Sequence, residues 1–143
     1  MGAIRTIVVA EDDDDDFFLV RRALKQSGYR GAIVRAINGE EVIRLLRSSG
    51  GAESEVALPA IALLDLKMPL RDGFDVLEWK DKHRELPCVP VIIFSSSEVE
   101  RDVKRAYKLG AHAYVRKPAR FEQYVSFFDS LRDWWSHCEL ADS

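Results

Sequence analysis

Five short apolar runs alternate along the chain with segments in which apolar side chains recur at helical spacing. The apolar runs cover residues 4–10, 32–37, 61–64, 91–94 and 113–116. A strand that is apolar at successive positions is typical of a parallel sheet covered by helices on both faces. Strands that alternate with helices join one sheet through right-handed crossovers. The alternation therefore predicts an α/β fold with a doubly wound five-stranded parallel sheet.

Local signals mark where several of the predicted helices begin and end. Gly28 is expected to end the first helix, because glycine often follows a helix C-terminus. Asn38, with Glu41 three residues later, can cap the second helix. Ser97 and Glu100 form the S-x-x-E pattern of a capping box, which predicts that the fourth helix begins after Ser97. These signals fall in the intervals between the apolar runs.

Polar side chains stand at the C-terminal ends of four predicted strands. They are Glu11 and Asp12 after the first, Asp65 after the third, Ser95 after the fourth and Lys117 after the fifth. Open parallel sheets bind ligands beyond this edge, so we expect the five side chains to converge. Crowded carboxylates repel one another unless a proton or a divalent cation neutralises them, and ligand sets made only of oxygen suit Mg²⁺. A lysine and a hydroxyl beside that cation predict a phosphate site, in which an aspartate can act as nucleophile.

Composition and charge argue against several classes of function. The net charge is −3, from 21 basic and 24 acidic side chains, so no basic excess favours binding to nucleic acid. No apolar run approaches the roughly 20 residues of a membrane span, and the N-terminus lacks the apolar region of a signal peptide. Cys88 and Cys138 have no C-x-x-C spacing and indicate reduced thiols in a cytoplasmic protein. The acidic residues 14–16 are interpreted as solvated charge at a helix N-terminus.

Four motifs occur in the order and at the spacing found in a known family. They are VVAEDD at 8–13, LLDLKMP at 63–69, IFSS at 93–96 and YVRKP at 114–118. With Gly73 and the segment 109–111, they resemble the receiver domain of two-component response regulators from about Ile4 to Leu131. The resemblance implies a (β/α)₅ flavodoxin-like receiver fold with the strand order 2-1-3-4-5. Ser96 departs from the family, which often has a small alanine beside the switch hydroxyl.

By position in these motifs, the resemblance implies a Mg²⁺ site with four contributing residues. Asp12 would be the main direct ligand, and the Asp65 carboxylate would also contact the ion. The backbone carbonyl of Lys67 would be a further protein ligand. Glu11 would hold the metal through water.

The same resemblance implies a phosphorylation switch. Asp65 would accept the phosphoryl group and Lys117 would contact it. Ser95 would be the switch hydroxyl, which moves toward the phosphoryl group, and Tyr114 would be the aromatic residue that turns into the vacated space. The peptide bond between Lys117 and Pro118 is expected to be cis, since X–Pro bonds adopt that isomer at low energetic cost.

A narrower resemblance is to the small regulators that partner phytochrome-type histidine kinases. It rests on the acid-rich start, the hydroxyl-rich end of the fourth strand and the tail that contains tryptophan. It implies a histidine kinase as partner and an unidentified downstream protein, with no catalysis on outside substrates. Residues 1–143 are expected to form a single receiver domain, with the last helix at about 121–140 and no output domain.

The last predicted helix contains more aromatic and large apolar residues than one face of a helix can hold. They are Phe121, Tyr124, Phe127, Phe128, Leu131, Trp134 and Trp135. Two interpretations stay open: the helix packs onto the protein's own core, or its excess face binds a partner or a second copy. A homodimer through the face of the fourth helix, fifth strand and fifth helix is the alternative to the aromatic helix.

Two rival functions use similar residues. A haloacid-dehalogenase-type phosphatase needs a second aspartate two residues after its nucleophile, where this chain has Lys67. A pseudo-receiver that binds partners without phosphate usually loses an acid or the lysine, and both are retained here. The receiver function is therefore favoured over either rival.

Overall fold

The computed structural model describes residues 6–48, 61–86 and 89–137, in which five strands alternate with five helices. The strands are β1 (Thr6–Ala10), β2 (Ala32–Ala36), β3 (Ile61–Leu64), β4 (Val91–Ser95) and β5 (Ala113–Arg116). The helices are α1 (Asp14–Gln26), α2 (Gly39–Ser48), α3 (Gly73–Lys82), α4 (Glu100–Lys108) and α5 (Phe121–His137). Within the described ranges, no helix combines the length and the apolar character that crossing a membrane requires.

The five strands form one parallel sheet in the order β2-β1-β3-β4-β5. β1 lies between β2 and β3, and its last residue, Ala10, stands opposite both Ala36 and Leu64. The strand order reverses between β1 and β3, which is the point where open α/β sheets bind ligands. The predicted fold class and strand order are confirmed.

Side chains alternate across β1 and divide the core into two clusters on opposite faces of the sheet. Val8 and Ala10 belong to the cluster that α2, α3 and α4 cover, whereas Ile7 and Val9 belong to the cluster that α1 and α5 cover. Both clusters contain large side chains that are fully buried, and Leu77 in the first cluster is one of them. Each fully buried side chain of this size contributes about 1.5–3 kcal/mol relative to an exposed one. The sheet is therefore held from both faces, which fixes the positions of its strand ends.

α5 packs several of its aromatic residues onto the protein's own core. Tyr124 and Phe128 are buried, and the ring centroid of Phe94 in β4 lies 5.7 and 6.0 Å from theirs. The partly buried residues of this helix that pack against the same cluster are Phe121, Val125, Phe127 and Leu131. Packing within the chain thus accounts for the aromatic residues up to 131. The side chains of Trp134 and Trp135, and residues 138–140 of the predicted helix, lie outside the described part.

One of the two predicted helix starts is confirmed and the other is wrong. Asn38 Oδ1 accepts the backbone N–H of Glu41 at 2.9 Å, as a cap of α2 requires. α4, however, begins at Glu100 after Val99, which makes no side-chain cap hydrogen bond. Ser97 lies too far ahead of this start to cap the helix, and its hydroxyl instead donates to Asp102 Oδ2 at 2.7 Å.

Leu70 lies in a backbone conformation that disfavours its side chain. Its φ is +64°, and it is the one non-glycine residue with positive φ in the described ranges. The left-handed region costs an L-residue about 1–2 kcal/mol, because Cβ approaches the following carbonyl oxygen. The side chain is 79% exposed, so little burial offsets this cost.

We expect Leu70→Asn to raise the free energy of unfolding by about 1 kcal/mol, because asparagine tolerates the left-handed region. Urea denaturation of the metal-free protein measures the change. Leu70→Ala is the matched control, since alanine removes the exposed leucine side chain but keeps the Cβ that disfavours a φ of +64°. A Leu70→Asn protein less stable than the wild type would show that the leucine side chain stabilises the fold.

Candidate functional site

Three carboxylates converge where β1 and β3 end. Glu11 and Asp12 follow β1 and Asp65 follows β3, and each offers an oxygen within 4.8 Å of the others. The two strands are neighbours, and the Asp65 N–H donates to the Ala10 carbonyl at 3.1 Å. Glu11 and Asp65 are buried whereas Asp12 is exposed, so the cluster opens to solvent at Asp12. This brings together the three acidic residues that the sequence placed at one sheet edge.

Lys117, at the end of β5, places its ammonium among the carboxylates. Nζ lies 2.6 Å from Glu11 Oε1, 2.8 Å from Asp65 Oδ2 and 2.9 Å from Asp16 Oδ2. An ammonium has three N–H donors, so each donor has a carboxylate acceptor. The Lys117 side chain is only 9% exposed, and these charge-assisted bonds act in a poorly solvated site. Asp16 was predicted to be part of a solvated run, and its contact with Lys117 corrects that interpretation.

The expected cis peptide between Lys117 and Pro118 is wrong, because the described residues contain no cis peptide bond. The Lys117 backbone N–H donates to the Ser95 carbonyl at 2.8 Å, which continues the pairing of β4 with β5. This contact directs the lysine toward the site from a trans peptide. The trans isomer is also the more stable one for X–Pro bonds by about 0.5–1 kcal/mol.

Burial of the cluster changes the proton affinity of its members. Desolvation raises the pKa of Glu11 to about 7, although the hydrogen bond from Lys117 acts in the opposite direction. Desolvation alone would lower the pKa of Lys117, but its hydrogen bonds to Asp65, Glu11 and Asp16 outweigh burial and raise it. One ammonium balances only one of three carboxylates, so the most buried of them, Glu11, takes up a proton most readily.

Arg35, in β2, holds the loop that carries the two acidic residues after β1. Its Nε donates to the Glu11 carbonyl at 3.0 Å and its Nη2 donates to the Asp12 carbonyl at 3.2 Å. Its Nη1 pairs with Asp14 at 2.7 Å, and its guanidinium lies 4.7 Å from the ring centroid of Phe17. Sequence reasoning missed this residue, because nothing in a strand sequence shows which loop carbonyls an arginine will reach.

Two glycines allow close backbone contacts at Asp65 and in the loop that follows it. A Cβ on Gly73 would lie 2.8 Å from the Asp65 carbonyl oxygen, so α3 can begin here only with glycine. The Gly39 N–H donates to the Arg71 carbonyl at 2.8 Å, and a Cβ on Gly39 would collide with that same oxygen. The Lys67 N–H donates to Asp65 Oδ1 at 3.2 Å. The loop after β3 is therefore tied to α2, to α3 and to the Asp65 carboxylate.

The two predicted switch residues meet at the loop between β4 and α4. The Ser95 side chain is 1% exposed, and its Oγ accepts the Ser97 N–H at 3.2 Å. The Tyr114 hydroxyl donates to the Ser97 carbonyl at 3.0 Å, and the Tyr107 hydroxyl accepts the Tyr114 N–H at 3.0 Å. Ser95 and Tyr114 are thus joined through one residue. Their roles as switch residues stay predictions.

The donor set fits a hard divalent cation. It consists of three carboxylates without histidine or cysteine, which is the chemistry that Mg²⁺ and Mn²⁺ prefer. A cavity of about 490 Å³ opens beside the cluster, with Asp12, Lys67 and Asp102 among its lining residues. Lys67 lies on this cavity, and its role as a metal ligand through the backbone carbonyl stays a prediction.

The parallel five-stranded sheet, with acidic residues and a lysine at its switch point, defines the receiver class of signalling domains. Residues 7–128 match the family described as "Response regulator receiver domain", and the chain belongs to that family. This confirms the family that the four sequence motifs indicated.

Similar proteins include regulators of known structure. The probable methanogenesis regulatory protein FilR2 of Methanothrix harundinacea is 31% identical over 118 residues, which cover 82% of this chain and 74% of FilR2. Response regulator Rcp1 of Synechocystis is 27% identical over 117 residues, 82% of this chain and 79% of Rcp1. A Mn²⁺-bound structure of Rcp1 has a TM-score of 0.81 at 25% identity and covers 97% and 99% of the two chains.

A phosphorylated protein is also among the structural relatives. The cyanobacterial phytochrome response regulator RcpA, in its phosphorylated form, has a TM-score of 0.84 at 28% identity. The likeness covers 99% of this chain and 100% of RcpA. Stand-alone regulators associated with phytochromes are therefore among its homologues, as the narrower resemblance predicted.

The raised pKa of Glu11 predicts how stability depends on pH without metal. The folded protein binds the Glu11 proton more tightly than the unfolded chain does, so this stability is complete below pH 4.5 and is lost as pH rises through about 7. We expect Glu11→Gln to match the wild type at pH 4.5 and to be more stable at pH 8 by up to about 3 kcal/mol. Urea denaturation in EDTA at both pH values tests this. An equal difference at both pH values would contradict it, and Glu85→Gln, at an exposed position after α3, is the control.

Proposed function

We propose that this chain is a stand-alone response regulator that accepts a phosphoryl group on Asp65 from a partner histidine kinase in a Mg²⁺-dependent reaction. The observation that carries the proposal is the buried Asp65 carboxylate with the Lys117 ammonium 2.8 Å from it, beside two further acids. An aspartate that only formed a surface salt bridge would need neither burial nor two neighbouring carboxylates. The proposal assigns residues 1–143 to one receiver domain.

The nucleophile in this proposal is a carboxylate oxygen of Asp65. It attacks phosphorus in line, a P–O bond forms, and the bond from phosphorus to the donor's imidazole nitrogen breaks with its electron pair leaving on the imidazole. Lys117 exchanges its contact with Asp65 for one with a phosphoryl oxygen and offsets negative charge there. Water later hydrolyses the acyl phosphate, so the chain acts on itself and on no outside substrate.

We assign Mg²⁺ to the acidic cluster. Asp12 and Asp65 would contact it directly, the Lys67 backbone carbonyl would be the third protein ligand, and Glu11 would hold it through water. When bound, such an ion neutralises carboxylate and phosphoryl charge. The Mn²⁺-bound form of Rcp1 supports a divalent cation in this family.

The output of the proposed switch passes through Ser95 and Tyr114. Ser95 moves to donate its hydroxyl hydrogen to the phosphoryl group, which removes the acceptor of the Ser97 N–H. Tyr114 then turns into the space that Ser95 leaves, and its hydrogen bond to the Ser97 carbonyl breaks. The surface formed by α4, β5 and α5 changes as a result.

We expect acetyl phosphate to retard the wild-type protein on a Phos-tag gel in Mg²⁺ but not in EDTA. Asp65→Asn removes the nucleophile and should abolish the shift. Asp129→Asn, on the exposed side of α5, makes the same chemical change away from the site and should leave the shift intact. Retardation of the Asp65→Asn protein would show that another residue carries the phosphate. A wild-type protein that is not retarded would favour a pseudo-receiver.

We propose a phytochrome-type histidine kinase as phosphodonor and an unidentified protein as downstream target, in the cytoplasm, with no nucleic-acid or membrane partner. The phytochrome response regulator RcpA supports the kinase type. For the output we propose a homodimer, through the face of α4, β5 and α5 or through the end of the aromatic C-terminal helix. Arg116 and Glu98 on the first of these faces form an exposed ion pair at 3.1 Å.

Light scattering with and without beryllofluoride, a mimic of the phosphoryl group, tests the dimer. We expect the wild type to dimerise in beryllofluoride and Arg116→Glu to stay monomeric, because like charges then meet at the face of α4, β5 and α5. Arg84→Glu, an equal charge change just after α3, should dimerise normally. A dimer of Arg116→Glu would favour an interface at the end of the aromatic C-terminal helix, and a wild-type monomer would leave partner binding as the output.

A further inference from the structure

We infer that Asp16 is a positioning residue for phosphoryl transfer, which holds the Lys117 ammonium in place while its contact with Asp65 is exchanged for a phosphoryl oxygen. The inference rests on the proposed function and adds a residue to it. It starts from the three-way contact of Lys117 Nζ with Glu11, Asp16 and Asp65, at 2.6, 2.9 and 2.8 Å.

The three acceptors on Lys117 differ in what else they must do. In the proposed reaction Asp65 becomes an acyl phosphate and loses its negative charge, and Glu11 belongs to the cation cluster. Asp16 is outside that cluster, so its contact with Lys117 has no reason to change during the reaction. It is therefore the acceptor that can keep the ammonium directed at Asp65 throughout.

Asp16 is itself held in position by the start of α1. Its backbone N–H donates to Oδ1 of Asp13, the N-cap residue, at 2.9 Å. Its side chain is 37% exposed, whereas the side chains of Glu11 and Asp65 are nearly buried, so Asp16 meets the ammonium from the solvent side. Without Asp16, the long lysine side chain could turn outward, because no other acceptor holds it on that side within the described ranges.

The neighbouring acids of α1 have other partners or none. Asp13 caps the helix and Asp14 pairs with Arg35. The Asp15 side chain makes no hydrogen bond or ion pair within residues 6–48, 61–86 and 89–137, and it is exposed. Asp15 is thus a matched control for Asp16: it has the same charge in the same helical turn and lacks the contact with Lys117.

If Asp16 acted through its charge alone, removing it would change the rate of phosphorylation in the opposite direction from that expected for a positioning residue. Removing a negative charge beside the site favours the approach of an anionic phosphodonor, so phosphorylation would become faster. Removing an anchor of Lys117 leaves the ammonium misplaced for the transition state, so phosphorylation would become slower. The sign of the rate change therefore separates the two roles.

The rate of phosphorylation by phosphoramidate in saturating Mg²⁺ is the first measurement. We expect Asp16→Asn to react roughly fivefold more slowly than the wild type, because an amide oxygen is a weaker acceptor for the Lys117 ammonium than a partly exposed carboxylate. Asp15→Asn should react at the wild-type rate, and Asp16→Glu should recover part of the loss by restoring a carboxylate. A rate for Asp16→Asn equal to or above that of the wild type would overturn the inference.

The second measurement needs neither phosphate nor metal. The ¹⁵N–¹H signal of the Lys117 ammonium, assigned by its loss in Lys117→Arg, reports whether hydrogen bonds protect it from exchange with water. We expect a resolved signal in the wild type and in Asp15→Asn, and a broadened or missing one in Asp16→Asn. A slow Asp16→Asn with an unchanged Lys117 signal would overturn positioning and leave a general effect on α1.

The outcomes separate this inference from the proposed function. A wild type that phosphoramidate does not phosphorylate on Asp65 overturns both. A wild type that is phosphorylated, with Asp16→Asn and Asp15→Asn at its rate, overturns only the role of Asp16.

Discussion

The site depends on the contact of one buried ammonium with three carboxylates. Lys117 balances a single negative charge, so the cluster of Glu11, Asp16 and Asp65 retains an excess of two when all are ionised. Carboxylates this close are costly in a poorly solvated place unless a proton or cation joins them. The raised pKa of Glu11 is the consequence in the metal-free protein. Repulsion between the carboxylates of the metal-free site thus favours the binding of a divalent cation.

The fold supplies the means to hold such a cluster together. Glu11 and Asp65 follow paired strands whose faces are both buried, so their backbones have little freedom to separate. Arg35 adds a second restraint, because its guanidinium binds the carbonyls of Glu11 and Asp12 from the neighbouring strand. Helices on both faces of the sheet stabilise the strands. This packing keeps the strand ends in place despite the repulsion between the carboxylates that follow them.

Much of this arrangement follows from the sequence alone. Apolar runs of strand length predicted the sheet, and polar residues at their ends predicted which side chains meet. Contacts that depend on side-chain direction were harder to predict. Asp16 lies in a charged helix start and Arg35 lies in an edge strand, and in both places spacing does not show which charged or polar group each side chain contacts. Ser97 failed as a helix cap because α4 begins only at Glu100, after Val99, so its hydroxyl lies ahead of the helix and donates to Asp102.

The loops on the two sides of Asp65 differ in how firmly they are held. The loop after β3 is fixed at the Gly39 contact and at the reciprocal Asp72 and Asp75 bonds that begin α3. The loop after β4 is held instead by hydroxyl groups, which can exchange one acceptor for another by rotation of a single bond. A displacement of Asp65 is therefore resisted by the firmly held loop after β3 and accommodated more easily by the loop after β4. The α4 side of the site is thus held by bonds that are easier to exchange than those on the side of α2 and α3.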